Sequence, residues 1–322
     1  MRIERTAMAA GLALLLGTGA AAAQEQTLRL GHLANVDNVW HQAALHFGEQ
    51  LSELTDGRLT VEVFPNESLG REIDLINGMQ LGTVDMTITG ESLQNWTPMA
   101  ALLAIPYAYQ SIEDMDEVAA GEIGQQIERS IIADAQIRPI AYFARGPRNL
   151  TSNRAITTPD ELNGLRLRVP NVPLFVDTWQ ALGAQPTPMA FGEVFTSLQA
   201  GTIDAQENPL ALIRSASFHE VQSHVNLTEH VRSWIYLTLS EITWSALSEE
   251  DQAAVMEAAS RTQAFERELF LEEEAEHRAF LEEAGMTFVE VDQEAFAARA
   301  RDAVLDNVPA EIADIVKGLF EH

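Results

Sequence analysis

The sequence predicts an α/β protein of two similar lobes with a ligand cleft between them, and three observations predict it. First, residues 74–85 and 193–204 read alike. Each carries Gln-x-Gly-Thr-(Val/Ile)-Asp after an apolar helical pattern and before a short apolar strand. Gly82 and Gly201 fit the position just past a helix, where a positive φ is needed, and the β-branched residues after them open a strand. Second, strand and helix patterns alternate through the first part of the chain, the mark of a parallel sheet with helices on its faces. Third, a helical pattern runs from Ser248 to Ala284 with Gly285 as its stop. Unbroken, it would span about 55 Å, which fits either a kinked pair of helices or a strut across both lobes. Two lobes side by side leave a cleft, a preferred place for a ligand.

Taken in order, Thr27 to Leu33 alternates as a first strand, and Val39 to Leu54 forms a helix stopped by Asp56-Gly57. Leu59 to Phe64 is a strand, Glu72 to Leu81 a helix and Val84 to Thr89 a third strand. Ser111-Ile112-Glu113-Asp114 resembles a capping box and starts a helical region reaching about Asp134. Ile137 to Phe143 is another strand. In the second half, Thr158-Pro159-Asp160-Glu161 combines an N-cap, a proline suited to the first helical position and a box-closing glutamate. Leu165 to Val169 is a strand stopped by Pro170, Leu174 to Leu182 a helix, Phe191 to Gln199 the second repeat helix, and Ile203 to Gln206 its strand. Val225 to Leu227 and Ile235 to Ser240 read as strands leading back to the first lobe. After the long helical pattern come a late strand, Met286 to Val291, and two shorter helices.

The ends and the composition bound the function. A charged start (Met1 to Arg5), an apolar run from Met8 to Leu16 and Ala21-Ala22-Ala23-Gln24 read as an export signal over residues 1–23. The apolar run is too short to span a bilayer. The chain has no cysteine, so disulfides, thiolate metal sites and a lipidated N-terminal cysteine are excluded. A bacterial periplasm fits best. The formal net charge is −28 and Lys317 is the single lysine, which disfavours nucleic acid and anionic membranes as partners.

Motifs for catalysis are absent: no G-x-S-x-G, no H-E-x-x-H, no phosphate-binding glycine loop. The eight histidines are scattered, and His41 and His46, five apart, do not share a helix face for one metal. No cofactor or metal is called for. Two arginines differ from the rest. In Leu165-Arg166-Leu167-Arg168-Val169, the apolar residues share one face and the arginines the other. Arg168 sits at the strand's C-terminal end, outside which open α/β sheets bind ligands. Arg148 follows the preceding strand. A guanidinium can grip a carboxylate through two parallel hydrogen bonds, although by pattern alone a surface arginine is the plainer reading.

Three runs change that balance: Gly164-Leu-Arg-Leu-Arg-Val-Pro-Asn171, Gln185-Pro-Thr-Pro-Met-Ala-Phe-Gly-Glu-Val194 and Asp204-Ala-Gln-Glu-Asn-Pro-Leu210. At these spacings they resemble the substrate-binding subunits of tripartite ATP-independent periplasmic (TRAP) transporters, over essentially the whole mature chain. The resemblance implies a two-lobed, periplasmic binding protein-like fold with a long helix spanning both lobes. It implies residues 24–145 plus about 234–273 as lobe I, and 146–233 plus about 274–322 as lobe II. It further implies Arg168 as the carboxylate grip, Arg148 as a second cleft arginine, Asn208 beside the carboxylate and Phe191 as the aromatic wall. In the first lobe the matching positions are Glu72 and Glu91, with His32 and Asn35 as polar contacts after the first strand.

The expected ligand is a small organic acid anion. Two acidic residues in the first lobe favour hydroxyls over a second carboxylate, so a sugar acid is expected: a hexuronate, an aldonate or a sialic-acid-like compound. C4-dicarboxylates and ectoine are the alternatives, as is a sensor or an enzyme acting on such an acid. The expected macromolecular partners are the two TRAP membrane subunits, and the protein is expected to be a monomer. Trp40, Trp96, Trp179 and Trp234 are open between core and cleft.

Overall fold

The computed structural model describes residues 25–321. The export signal read in residues 1–23 lies outside them. The first part of the chain runs β1 (Gln26–Gly31), α1 (Val39–Leu54), β2 (Leu59–Phe64), α2 (Glu72–Gln80) and β3 (Met86–Thr89). Two 3-10 segments, Glu91–Asn95 and Pro98–Ala104, lead to α3 (Ile112–Ala120), α4 (Glu122–Ser130) and β4 (Ile137–Phe143). The chain then crosses to β5 (Arg148–Ser152), β6 (Arg166–Val169), α5 (Pro173–Leu182), β7 (Gln185–Pro188), α6 (Val194–Gln199), β8 (Ala205–Asn208), α7 (Leu210–Ser215) and β9 (His224–Val231). It returns through β10 (Ile235–Ser240) and α8 (Glu241–Ala246), and ends with α9 (Glu249–Glu283), β11 (Thr287–Val289), α10 (Gln293–Asn307) and α11 (Ala313–Phe320).

These elements form two sheets. The first has the order β2-β1-β3-β10-β4 and the second β11-β9-β5-β8-β6-β7. The sequence repeat is a structural repeat: β2-β1-β3 and β7-β6-β8 are parallel triplets in the same order, each followed by an antiparallel strand. Its glycines have φ of +71° at Gly82 and +65° at Gly201. The repeated aspartates do the same work. The Arg29 N–H donates to the Asp85 carboxylate (2.8 Å) and the Arg166 N–H to Asp204 (3.1 Å), each fastening the turn to the neighbouring parallel strand. Using these residues as fasteners delays β3 and β8 by two residues relative to the expected Val84 and Ile203.

Several expectations are refined by packing. The helical region after Ser111 has the expected capping box with Asp114 but divides at Gly121, which caps both α3 and α4. Gly124 lets the two helices meet, since a Cβ there would lie 2.0 Å from the Ala119 carbonyl oxygen. Thr158 and Glu161 form their capping box around a four-residue 3-10 turn only. β5 had no alternating pattern because it is buried on all sides, and its Asn149, Thr151 and Ser152 are buried too. β7 carries two prolines, which its edge position allows. The long helical pattern is one continuous helix of 35 residues, about 52 Å. It packs on α1 and β4 of the first lobe and on α7 of the second. Phe47 and Leu51 of α1 and Val255, Ala258 and Ala259 of α9 share one apolar core. Trp179 and Trp234 are core residues, Trp96 packs against the core, and Trp40 is buried at the cleft.

Candidate functional site

Between the two sheets lies a cavity of about 420 Å³, within the ordinary range for small-molecule sites. Strand ends and helix starts supply its walls. From the second lobe come Arg168 at the end of β6, Asn208 at the end of β8, Arg148 at the start of β5, and Met189 and Phe191 after β7. From the first lobe come Glu72 at the start of α2, Thr89 at the end of β3, and Glu91 and Ser92 just beyond it. Gly90 permits this placement, because a Cβ there would lie 2.7 Å from the Ile235 Cγ2.

Arg168 is 3 % exposed. Its Nε and Nη2 both donate to the Met189 carbonyl (3.0 and 2.7 Å), and its guanidinium lies 5.9 Å from the Phe191 ring centre. Arg166, two residues earlier on the same face of β6, is exposed at the start of the strand, where it pairs with Asp204. Arg168 forms no ion pair with any described residue. Burial pulls its pKa down to about 10 despite Glu207 nearby. It is a desolvated cation whose charge is not neutralised by direct contact. Asn208 beside it donates to Gln206 (2.6 Å), which is fixed in turn by Thr151 (2.9 Å).

Arg148 reaches the same cavity already paired. It grips the Glu207 carboxylate in a fork, with Nη2 to Oε1 at 2.8 Å, and its Nη1 reaches Glu91 at 3.1 Å. Glu207 also accepts from His230 Nε2 (2.9 Å). Burial alone raises the Glu207 carboxyl, and Arg148 with His230 overturns that, bringing it down to about 2. Burial holds His230 below its usual value, so the imidazole stays neutral and donates through Nε2. Glu91 is held by Arg148 on one oxygen and Arg145 on the other, and Arg145 donates in turn to Ser233 (2.9 Å). Burial raises Glu91, and these two guanidinium groups hold it below the usual carboxylate range.

Glu72 has a different setting. Thr89 Oγ1 donates to one oxygen (2.6 Å) and Ser92 Oγ to the other (2.9 Å), and no described cation pairs with it. Burial and the neighbouring Glu91 push its pKa up against those hydroxyls.

Six of the eight expected residues therefore line one cavity: Arg168, Arg148, Asn208, Phe191, Glu72 and Glu91. His32 and Asn35 do not. The chain after β1 keeps bonding to the end of β2 and the chain beyond it (His32 N–H to the Phe64 carbonyl, Asn66 N–H to the Ala34 carbonyl). This turns His32 inward onto His41, with Nε2 and Nδ1 3.1 Å apart. Asn35 instead donates to the Ser215 carbonyl (2.6 Å), at a contact between lobes away from the cavity. Arg145, Glu67, Thr89 and Ser92 line the cavity as well, and Glu207 and His230 back it. The pair Arg145-Gly-Pro-Arg148 was a usable signal for Arg145. The acids had none, lying in a chain with 48 of them.

The lobes touch around the cavity mouth. Arg71 pairs with Glu193, and the Gly192 N–H donates to Glu67 (3.1 Å). Asn95 donates to the Asn171 carbonyl (2.8 Å), and the Leu174 N–H donates to Gln94 (3.1 Å). The cleft is closed. Among the described residues no helix is long and apolar enough to cross a membrane, and no group of three His, Cys, Asp or Glu is placed to hold a metal.

Comparison with known proteins places this geometry in a family. The profile of bacterial extracellular solute-binding protein family 7 matches residues 30–308. A solute-binding protein of Roseobacter denitrificans is 72% identical over 307 residues, 95% of this chain and 94% of that protein. The crystal structure of a TRAP periplasmic solute-binding protein from that organism, with bound L-galactonate, superposes with a TM-score of 0.91 over 92% of this chain and 99% of the other, at 72% identity. The 2,3-diketo-L-gulonate-binding periplasmic protein of Escherichia coli is 32% identical over 97% of this chain and 96% of its own length. The chain therefore belongs to family 7 of the bacterial extracellular solute-binding proteins, the periplasmic solute-binding proteins of TRAP transporters.

Proposed function

We propose that this protein captures a six-carbon sugar acid of the aldonate type, L-galactonate being the first compound to test, and hands it to TRAP membrane subunits. The observation that carries the reading is Arg168, a buried guanidinium with no ion pair facing a wall of hydroxyls and carboxylates. A ligand carboxylate supplies the missing anion, and Asn208 completes the cradle. Phe191 covers an apolar face of the carbon chain, while sugar hydroxyls donate to Glu72 and Glu91. The L-galactonate in the Roseobacter protein supports this choice, as does α/β-D-galacturonate in a Bradyrhizobium relative at 32% identity and a TM-score of 0.87. Lobe I is taken as residues 24–145 plus about 234–273, and lobe II as 146–233 plus about 274–322. Closure of one lobe on the other makes the liganded form recognisable to a membrane partner. The protein acts as a monomer in the periplasm and returns its solute unchanged.

Calorimetric titration of the mature protein with L-galactonate, D-galacturonate, sialic acid and succinate tests this. A sugar acid is expected to bind tightly and succinate weakly. Arg168→Ala is expected to cost about 2–5 kcal/mol of binding, roughly 30-fold to several thousand-fold in Kd, with the unfolding transition retained. Near-unchanged affinity in that variant, or tight binding of succinate alone, sinks the proposal.

A further inference from the structure

We infer that Glu72 makes this site select acids with a single carboxylate and reject those bearing a carboxylate at both ends of the chain. The inference rests on the sugar-acid reading above and deepens it. The two lobes offer a ligand opposite chemistry. On the second lobe the unmatched group is Arg168, a cation. On the first lobe Glu72 is the carboxylate in the cavity wall that hydroxyls alone hold on both oxygens.

Glu91, its acidic neighbour, is held by Arg145 and Arg148, so two cations already meet its charge. Arg71 lines the cavity but is turned to Glu193. Glu72 has only two hydroxyls, from Thr89 and Ser92, one on each oxygen. Those hydroxyls spend their protons on Glu72, and what remains toward the cavity is lone pairs. An ionised carboxylate is acceptor-only. A ligand hydroxyl can donate to such a wall. A ligand carboxylate brings only more lone pairs, so no proton lies between the two groups and like charges meet in a buried space.

The charged groups around Glu72 come from several elements: Glu91 beyond β3, Arg145 and Arg148 at the crossing from β4 to β5, Arg168 on β6, Glu67 after β2, and Asp74 on α2 itself. Burial and Glu91 already push Glu72 upward. A second ligand anion pushes it further, so such a ligand binds with uptake of a proton and binds better as pH falls.

The test compares L-galactonate with galactarate, which has the same six-carbon chain with its terminal alcohol oxidised to a carboxylate. Both are titrated calorimetrically into wild type and Glu72→Gln at pH 6, 7 and 8. Wild type is expected to prefer L-galactonate, and its galactarate affinity to rise toward pH 6. Glu72→Gln offers the acid an amide donor, so the preference ratio shifts toward galactarate by about tenfold or more and the pH dependence for galactarate disappears. The ratio is the readout, since the substitution also touches L-galactonate. The wild-type ratio and its pH profile stand on their own should the variant fold poorly. Equal binding of both acids by wild type, or an unchanged ratio in Glu72→Gln, overturns this inference alone. Failure of both acids to bind wild type overturns the sugar-acid reading and this inference with it.

Discussion

Three buried arginines line the cavity, and what each one touches separates their tasks. Arg145 and Arg148 are matched by Glu91 and Glu207 and hold the wall together, whereas Arg168 rests on the Met189 carbonyl and pairs with no described carboxylate. Ion pairs this deep are strongly destabilising to break from one side, because the surviving charge stays buried. Glu207→Gln is therefore expected to cost about 3–5 kcal/mol of stability, read by urea unfolding at neutral pH. Its acid behaviour has a definite sign. The folded-state value, about 2, lies below the ordinary 4.5, so the stability from Glu207 is complete above pH 4.5 and lost as pH falls toward 2. Over that acid range the wild type should lose about 3 kcal/mol more than the variant. Parallel acid-unfolding profiles would show that Glu207 is not what Arg148 leans on.

Among the elements, α9 does more than join the lobes. β4 is an edge strand of the first sheet, and its outward N–H groups have no neighbouring strand. Side chains of α9 take that place: the Tyr142 N–H donates to Gln263 (2.8 Å) and the Ala144 N–H to Glu266 (3.0 Å). Ala144 directly precedes Arg145, so this helix also sets where the chain crosses toward the cavity. Glu266 is fully buried, and burial pushes it up to about 8. A carboxyl raised on folding stabilises fully below its unfolded value, and that contribution is lost as pH rises through about 8. Glu266→Gln keeps the acceptor and cannot ionise. Its melting temperature is expected to exceed the wild-type value at pH 9 and to match it near pH 5. Glu266→Ala leaves the Ala144 N–H unpaired and is expected to cost about 1–3 kcal/mol near pH 5, where the wild-type carboxyl is protonated. A Gln variant melting below wild type at pH 9 would remove the buried-acid account.

For the molecule as a whole, the closed cleft is fastened at its mouth. Asn66 and Glu67 occupy consecutive left-handed conformations, φ 55° and 54°, which aim Glu67 at the Gly192 N–H of the other lobe. Strain of this kind persists only where the surrounding structure enforces it. Arg71 and Glu193 beside them are half-exposed, so their pair contributes about 0.2–1 kcal/mol. Stopped-flow release of L-galactonate from Arg71→Ala is expected to be faster by roughly 1.5- to 5-fold with the association rate little changed. The charge-reversed pair Arg71→Glu with Glu193→Arg should restore slow release. Unchanged release in the single variant would mean the mouth opens without breaking this contact.

Local patterns determined the repeat, most of the strand and helix order but not β5 or β7, the capping box at Ser111 and the face carrying Arg168, because periodicity and turn chemistry act between residues close in the chain. The resemblance to TRAP substrate-binding subunits marked Arg148, Asn208 and Phe191. Only the tertiary structure decided what these residues touch. Arg148 and Arg168 look equivalent as letters, yet one meets Glu207 from another strand and the other meets none. His32 and Asn35 sit where a loop would reach the cleft, and backbone bonds to the chain after β2 turn them away. Glu72 and Glu91 were marked together, and partners more than 50 residues away neutralise Glu91 alone. The strut was equally open to a kinked pair until both lobes packed on its one continuous face. Burial and long-range pairing set the charge of a side chain, and neither is encoded within a window of neighbouring residues.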